Sequence, residues 1–502
     1  MTILDVGTSI NRLPQPKIRQ PIARLGRNVW RQTTCDRAAF LIDGAEYYRR
    51  LDEVLRKAQH SIFIVGWDFN PGIRLKPEEP GSATLGDILR AKVEERDGLT
   101  VHILVWGMGP VYSGKSLKLF QKSGWNDHPR IHMEFDLNHP LRASHHQKMV
   151  CIDDAVAFLG GIDLTARRWD DRRHAIPNDL RCSPDGTCYG PVHDIQSIVS
   201  GDAARMVGDA CRKRWKRAKR ETLVAGPPST QDLWPEDLQP ALVDCPVALA
   251  LTEPLRWNGR PGRREAVQLT HDALRAAERH IYLESQYLAS FSVARTIIDR
   301  LQEPEGPEII ILVTRESHGL LEKLMMGHNR TRLIRRLKRY DPHDRLRVYY
   351  AVNANEQGED REIVVHAKLV IVDDRFIRVG SSNLNNRSEG LDTESDLAFE
   401  PVTDEGRAAV LSLRDDLIAE HLDASPAEIT ASIQETGSLI QTMERYNVKP
   451  RGLRSFEVDD PNGETESLLG TSIVDPRRPF WPVRQMKVGT RWAISRLTRS
   501  FS

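Results

Sequence analysis

Two rhythms of apolar residues alternate along this chain. In LDEVLRKAQHSIFIVGWDF (51–69), apolar side chains first recur at steps of three and four, then run together as IFIV. The first rhythm gives a helix one apolar face; the second, rich in β-branched residues, favours a buried strand. THDALRAAERHIYLESQYL (270–288) repeats both rhythms in the same order. A further apolar strand follows in each place, LTVHILVWGM (99–108) and PEIIILVTRE (307–316). Beyond these lie SHHQKMVCIDDAVAFLGG (144–161) and VVHAKLVIVDDRFIRVGSSN (364–383), each a pair of strand-forming runs around an Asp-Asp turn. Helix, strand, helix, strand and strand hairpin are thus predicted twice. Strands apolar on both faces belong in buried sheets, so the expected fold is α/β: two similar domains, each a mixed, mostly buried β-sheet flanked by helices, meeting at one shared site.

Between the copies, residues 222–262 hold seven prolines, which suit neither a helix nor a central strand. The expected organisation is an N-terminal extension (1–35), a first domain (36–221), a proline-rich connector (222–262), a second domain (263–425) and a C-terminal extension (426–502).

Composition narrows the partners. With 71 basic and 70 acidic residues the net charge is +1, so no global field draws nucleic acid or an anionic surface, and attraction to phosphate must be local. The six cysteines form no CxxC pair and no Cys/His cluster of zinc spacing, which points to a reducing compartment. Cys182 and Cys188 bracket a short loop and are read as two unrelated thiols, with a disulfide the alternative if the protein meets an oxidant. The N-terminus has no apolar core of leader length, and no apolar run approaches a membrane span. A soluble protein, acting peripherally at a surface, is expected.

The chemistry sits in the repeated hairpins. Along a strand, His146 shares a face with Lys148, and His366 with Lys368. Asp153 and Asp373 follow each lysine at the same interval, and glycines end each return strand. A single His-x-Lys is most often a surface pair; the full pattern, twice at equivalent places, is not explained that way. Lysines neutralise phosphate oxygens, and imidazole serves as a nucleophile or as a proton donor near neutral pH. One histidine can attack phosphorus while the other protonates the departing oxygen, and the intermediate phosphohistidine is then released by water or an alcohol. Such a reaction requires no metal and no cofactor.

The duplicated motif resembles the phospholipase D superfamily. Further segments look like its eukaryotic-type branch: AFLGGIDLTARRWD (157–170), YGPVHDIQ (189–196), AERHIYLESQYL (277–288), GSSNLNNRS (380–388) and LRDDLIAEHL (413–422). The resemblance implies catalytic roles for His146, Lys148, Asp153, His366, Lys368 and Asp373, with His146 the nucleophile and His366 the general acid. It implies a phosphate cradle from Ser382 and Asn383. In the first half Asp163 stands where the second has Asn383, and an ionised acid there cannot donate to phosphate. Asp170 and Glu394 are the expected carboxylates, each orienting the histidine of the opposite half. Gln286, at a strand end, and His193 complete the candidate site residues, each with a structural role as the alternative.

The implied activity is hydrolysis of the distal phosphodiester of a glycerophospholipid to phosphatidate and a head-group alcohol, with an alcohol able to replace water. A phosphatidyl transferase of the cardiolipin-synthase type, a superfamily nuclease and a non-catalytic membrane scaffold are the alternatives. Near-zero charge and 6% aromatics speak against nucleic acid, and two complete motifs against the scaffold. A phospholipid and an acceptor are the expected partners of a monomer, inside the cell or exported without a leader. Two basic stretches are candidates for meeting the lipid surface: RTRLIRRLKRY (330–340), otherwise a solvated helix, and the amphipathic tail 475–502, otherwise packed on the core.

Overall fold

The computed structural model describes residues 20–109, 124–140, 142–227, 229–255, 261–315, 327–458, 460–467 and 475–476. The first half runs β1 (Arg31–Ile42), α1 (Asp43–Lys57), β2 (Ser61–Gly66), α2 (Leu85–Glu95), β3 (Thr100–Trp106), β4 (Ile131–Asp136), β5 (Met149–Ile152), β6 (Val156–Gly160), β7 (Val192–His193), β8 (Ile195–Ser200) and α3 (Asp202–Lys219). The second runs β9 (Leu242–Glu253), β10 (Arg263–Arg264), α4 (Glu265–Ala276), β11 (His280–Ser285), α5 (Phe291–Leu301), β12 (Glu308–Val313), α6 (His328–Arg339), β13 (Leu346–Ala354), β14 (Asp360–Val365), β15 (Lys368–Val372), β16 (Phe376–Gly380), β17 (Glu394–Phe399) and α7 (Asp404–Leu422). Helices α8 (Pro426–Thr436) and α9 (Leu439–Tyr446) and strand β18 (Gly452–Ser455) follow.

Strand pairing makes the duplication explicit. The order is 4-3-2-5-6-8-1 in the first half and 9-17-16-15-11-12-13 in the second, joined where β1 runs antiparallel to β9. Read outward from that junction, the two sequences of strands correspond one for one. The pseudo-two-fold axis therefore passes between β1 and β9. One core fills the space between inner strand faces of both halves and the helices α3 and α7, from Phe63, Val65 and Trp215 to Val365, Leu369 and Leu417. Two outer cores belong one to each half. The helices begin where charge and capping favour them: α1 has acids in its first turn and bases in its last, and α2 opens with a Thr84–Asp87 capping box.

Several expectations need correction. The proline-rich stretch 222–262 is not only a connector, because residues 242–253 form β9 at the middle of the joined sheet. Pro246 is tolerated near a local interruption of the ladder, where Asp244 takes φ 48° and the Asp36–Asp244 pair is skipped while the register stays the same on either side. The C-terminal extension is integral up to β18, which pairs with β13. Cys182 and Cys188 form a disulfide, while Cys35, Cys151, Cys211 and Cys245 are buried free thiols. The basic face of α6 is neither free nor simply solvated. Arg336 meets Glu466 at 2.6 Å, and Arg339 donates to the carbonyls of Pro461 and Gly463, so the chain's own 460–466 segment covers it. Leu333 and Leu337 are buried, as the helical pattern required. The basic tail, beyond residue 476, lies outside the described residues. Among those described, no helix is long and apolar enough to cross a membrane.

Candidate active site

Strands β5 and β15 are equivalent and sit on either side of the axis, so their entry ends bring His146 and Lys148 toward His366 and Lys368. Two short parallel bridges across the halves fix the approach. The His146 amide donates to the Thr393 carbonyl at 2.9 Å, and the His366 amide donates to the His193 carbonyl at 2.7 Å. The residue after each acceptor is an acid. Glu394 lies 3.0 Å from His146 Nδ1, and Asp194 lies 2.6 Å from His366 Nδ1. Each imidazole is thus held by a carboxylate of the other half, which leaves Nε2 of both rings for chemistry.

Of the two carboxylates expected to meet the histidine of the opposite half, Glu394 contacts His146 and Asp170 does not reach His366. The carboxylate of Asp170 is taken up by His174 Nδ1, Arg181 Nη1 and the Val192 amide, all at 2.9 Å, and it makes no bond to His366. Asp194 holds His366 instead. The signal was present in VHDIQ and TESDL: Gly160 pairs with Gln196 and Gly380 with Asp396, so Asp194 and Glu394 occupy the same register position. The acids differ in their supports. Ser381 and Ser388 donate hydroxyls to Glu394 at 2.6 and 2.7 Å, whereas the Ile195 amide donates to Asp194 at 2.8 Å. Gly161 replaces Ser381 in the first half because a Cβ there would come 2.0 Å from Asp194 Oδ1.

The two aspartates of the repeated motif are not in the site. Asp153 accepts from the amides of Gln59, His60 and Ser61, and Asp373 from those of Glu278, Arg279 and His280, each at 2.7–2.8 Å. A strand advances about 3.3 Å per residue, so five residues carry each aspartate roughly 16 Å from its lysine to the far end of the hairpin. Their catalytic assignment is corrected to a structural one, fixing the start of β2 and β11.

Asp163 pairs with Lys148 Nζ at 3.0 Å and accepts the Trp67 amide at 2.9 Å, so it anchors the lysine and does not grip phosphate. Ser382 is spent on Asp396, which accepts both its hydroxyl and its amide, and its expected place in a phosphate cradle is corrected accordingly. Asn383 is buried with no hydrogen bond to its Oδ1. Gln286 is half-buried just past β11. The side chain of His193 is fully buried among Glu284, Glu420 and Asp43, and these acids, not the motif histidines, are its partners.

Charges within this buried site push one another. Burial, with Lys148 and Lys368, holds His146 well below the usual imidazole range. Burial, with Lys368 and then Arg168, does the same to His366. Burial lowers Lys368 to about 7 against the attraction of Asp194, and burial lifts the Glu394 carboxyl to about 7. These shifts favour the neutral form of both rings. The arrangement offers two imidazoles, two amines and no exposed carboxylate, which suits an anionic phosphodiester.

The sequence model of phospholipase D matches residues 54–233 and 338–450, more than half the chain and both motifs. The chain belongs to the phospholipase D family. It is 26% identical over 457 residues to phospholipase D1 of Saccharomyces cerevisiae, covering 72% of this chain and 26% of that one. It is 24% identical over 472 residues to phospholipase D2 of Bos taurus, covering 72% of this chain and 49% of that one. The chain thus spans from a quarter to half the length of these family members. Among solved structures, a phosphatidylserine synthase from Haemophilus influenzae superposes with a TM-score of 0.51 at 13% identity, over 83% of this chain and 96% of that one. At that identity the likeness bears on the fold alone.

Proposed function

We propose that the chain is a phosphodiesterase of the phospholipase D type, cleaving the distal phosphodiester of glycerophospholipids at a membrane surface. The observation that carries this reading is the pair of crossed contacts, His146 with Glu394 and His366 with Asp194. Each acid holds a ring by Nδ1, so that Nε2 of His146 attacks phosphorus while the bond to the head-group oxygen breaks. His366 supplies the proton to that oxygen. Burial and the neighbouring lysine hold its pKa low, and an anionic phosphate beside the lysines favours the protonated ring. Water, or an alcohol, then attacks the phosphohistidine while His366 takes back a proton, and the P–N bond breaks. Lys148 and Lys368 hold the equatorial oxygens as charge builds there.

The test is mass spectrometry of products from mixed phospholipid vesicles, with and without a primary alcohol, alongside a single-stranded oligonucleotide. Phosphatidate, replaced by a phosphatidyl alcohol when the alcohol is present, is the expected outcome. Cleavage of the oligonucleotide with intact lipid would overturn the reading in favour of a nuclease.

A further inference from the structure

His193, whose carbonyl accepts the His366 amide, belongs to a second cluster of titratable groups that the proposed reaction does not use. Asp43 comes from the start of α1, His174 from the loop after β6, His193 from β7 and Glu420 from α7, so both halves contribute. Their side chains are at most 1% exposed. We infer that these four residues form a closed site for one divalent transition-metal ion of the zinc type, a staple between the halves.

The distances fit that use. His193 Nδ1 lies 3.1 Å from Asp43 Oδ1 and 2.9 Å from Glu420 Oε1, and His174 Nε2 lies 3.4 Å from Asp43 Oδ2 and 3.3 Å from Glu420 Oε1. Ligand atoms at about 2.0–2.2 Å from a tetrahedral ion stand roughly 3.3–3.5 Å apart, so these edges nearly enclose one. Asp43 Oδ2, fully buried, accepts no hydrogen bond.

The outer contacts point the same way. A metal-bound imidazole presents one nitrogen to the ion and donates its other N–H to a carboxylate. His174 turns Nδ1 to Asp170 at 2.9 Å, and His193 turns Nε2 to Glu284 at 3.0 Å. Those acids are fixed in turn, Asp170 by Arg181 and the Val192 amide, Glu284 by Tyr282 and His421. Four buried protein ligands leave no position for substrate, so the ion is structural, unlike the reaction, for which no metal was expected. Its effect reaches the active site through Asp43, whose amide donates to the Asp194 carbonyl at 2.8 Å and whose carboxylate accepts the Asp194 amide at 3.2 Å. The ion thereby steadies the acid that holds His366.

Protons on both imidazoles could balance the same carboxylates, and the experiment separates the two. The full chain is stripped with a strong chelator, loaded separately with Zn²⁺ and Co²⁺, desalted and assayed by elemental mass spectrometry, visible absorption and X-ray absorption. The expected result is one ion per chain, tetrahedral cobalt bands, nitrogen and oxygen neighbours only, and a melting temperature raised by roughly 5 °C. Asp43→Asn and His174→Gln should each lower retention at least about tenfold. Failure of the folded wild type to keep more than a tenth of an equivalent would overturn the site, whatever the variants do. Sulfur in the metal's shell, or full retention by both variants, would also overturn it by placing the ion elsewhere.

Discussion

The two halves share a scaffold but not a charge pattern. In the first, Lys148 is paired with Asp163, and His146 leans on a glutamate steadied by two hydroxyls. In the second, the position of Asp163 is the neutral Asn383, and His366 leans on a shorter aspartate fixed by backbone. Duplication supplies two of every group; substitution makes the groups unequal. The inequality suits a reaction that asks one ring to be a nucleophile and the other an acid, because a buried ring's readiness to hold a proton depends on the charges around it. Lys368, with no acid at 383, sits 3.1 Å from His366 Nδ1 and adds to the burial that lowers the proton affinity of that ring.

The largest effect that can break this comparison comes from the rings themselves. His146→Asn and His366→Asn should each reduce turnover of a phospholipid by roughly 10⁴-fold or more, with the circular dichroism spectrum unchanged. Independent half-sites would instead leave each variant about half active. A nitrophenyl phosphodiester separates the roles, since its leaving group needs little protonation. His366→Asn should release a burst of about one equivalent and then stall, whereas His146→Asn should give none. The opposite pattern reverses the assignment, and no burst from either, with substrate bound, removes the histidine intermediate.

Next come the acids. Asp194→Asn and Glu394→Gln should each lower kcat about 10²–10³-fold with little change in KM, since both orient a ring and neither meets substrate. Gly161→Ala should imitate Asp194→Asn, because its Cβ would press on that carboxylate. Ser381→Ala, at the equivalent place, removes one hydrogen bond to Glu394 and should lower kcat only about tenfold. Equal effects of the two changes would show the halves to be more alike than their contacts suggest.

What could be read from the sequence follows from what a strand encodes locally. His146 with Lys148 and His366 with Lys368 were legible because side chains two apart share a face, and the repeated helix and strand rhythms located the duplicated domains. Asp194 was not legible from spacing. It follows His146 by 48 residues where Glu394 follows His366 by only 28, and the loop between β6 and β7 absorbs the difference. Strand β9 was hidden by prolines around it. Asp153 and Asp373 misled in the opposite sense: their fixed interval reflects the length of a strand, not proximity to the lysine.

A smaller effect concerns pH. Burial lifts Glu394 to about 7, so below that pH the carboxyl is protonated and no longer draws the Nδ1 proton of His146. The kcat/KM profile should fall about tenfold per unit as pH drops below 7, and Glu394→Gln should lose this limb along with most of its activity. A wild-type limb that persists unchanged in Glu394→Gln would assign it to another group.

The smallest effect on chemistry, and the sharpest on the meaning of the motif, is expected from its aspartates. Asp153→Ala leaves the amides of three half-buried residues, 59–61, without their acceptor, and Asp373→Ala does so for the exposed Glu278 and Arg279 and the buried His280. Each loss should cost about 2–4 kcal/mol in stability, since a carboxylate accepting several amides is a strong cap and orphaned donors carry a desolvation cost. The melting temperature should fall by several degrees while kcat, measured well below it, stays within about twofold of wild type. Because the two turns are equivalent across the axis, the two variants should behave alike, unlike Gly161→Ala and Ser381→Ala inside the site. A kcat loss of a hundredfold in a folded Asp153→Ala protein would return that aspartate to the reaction.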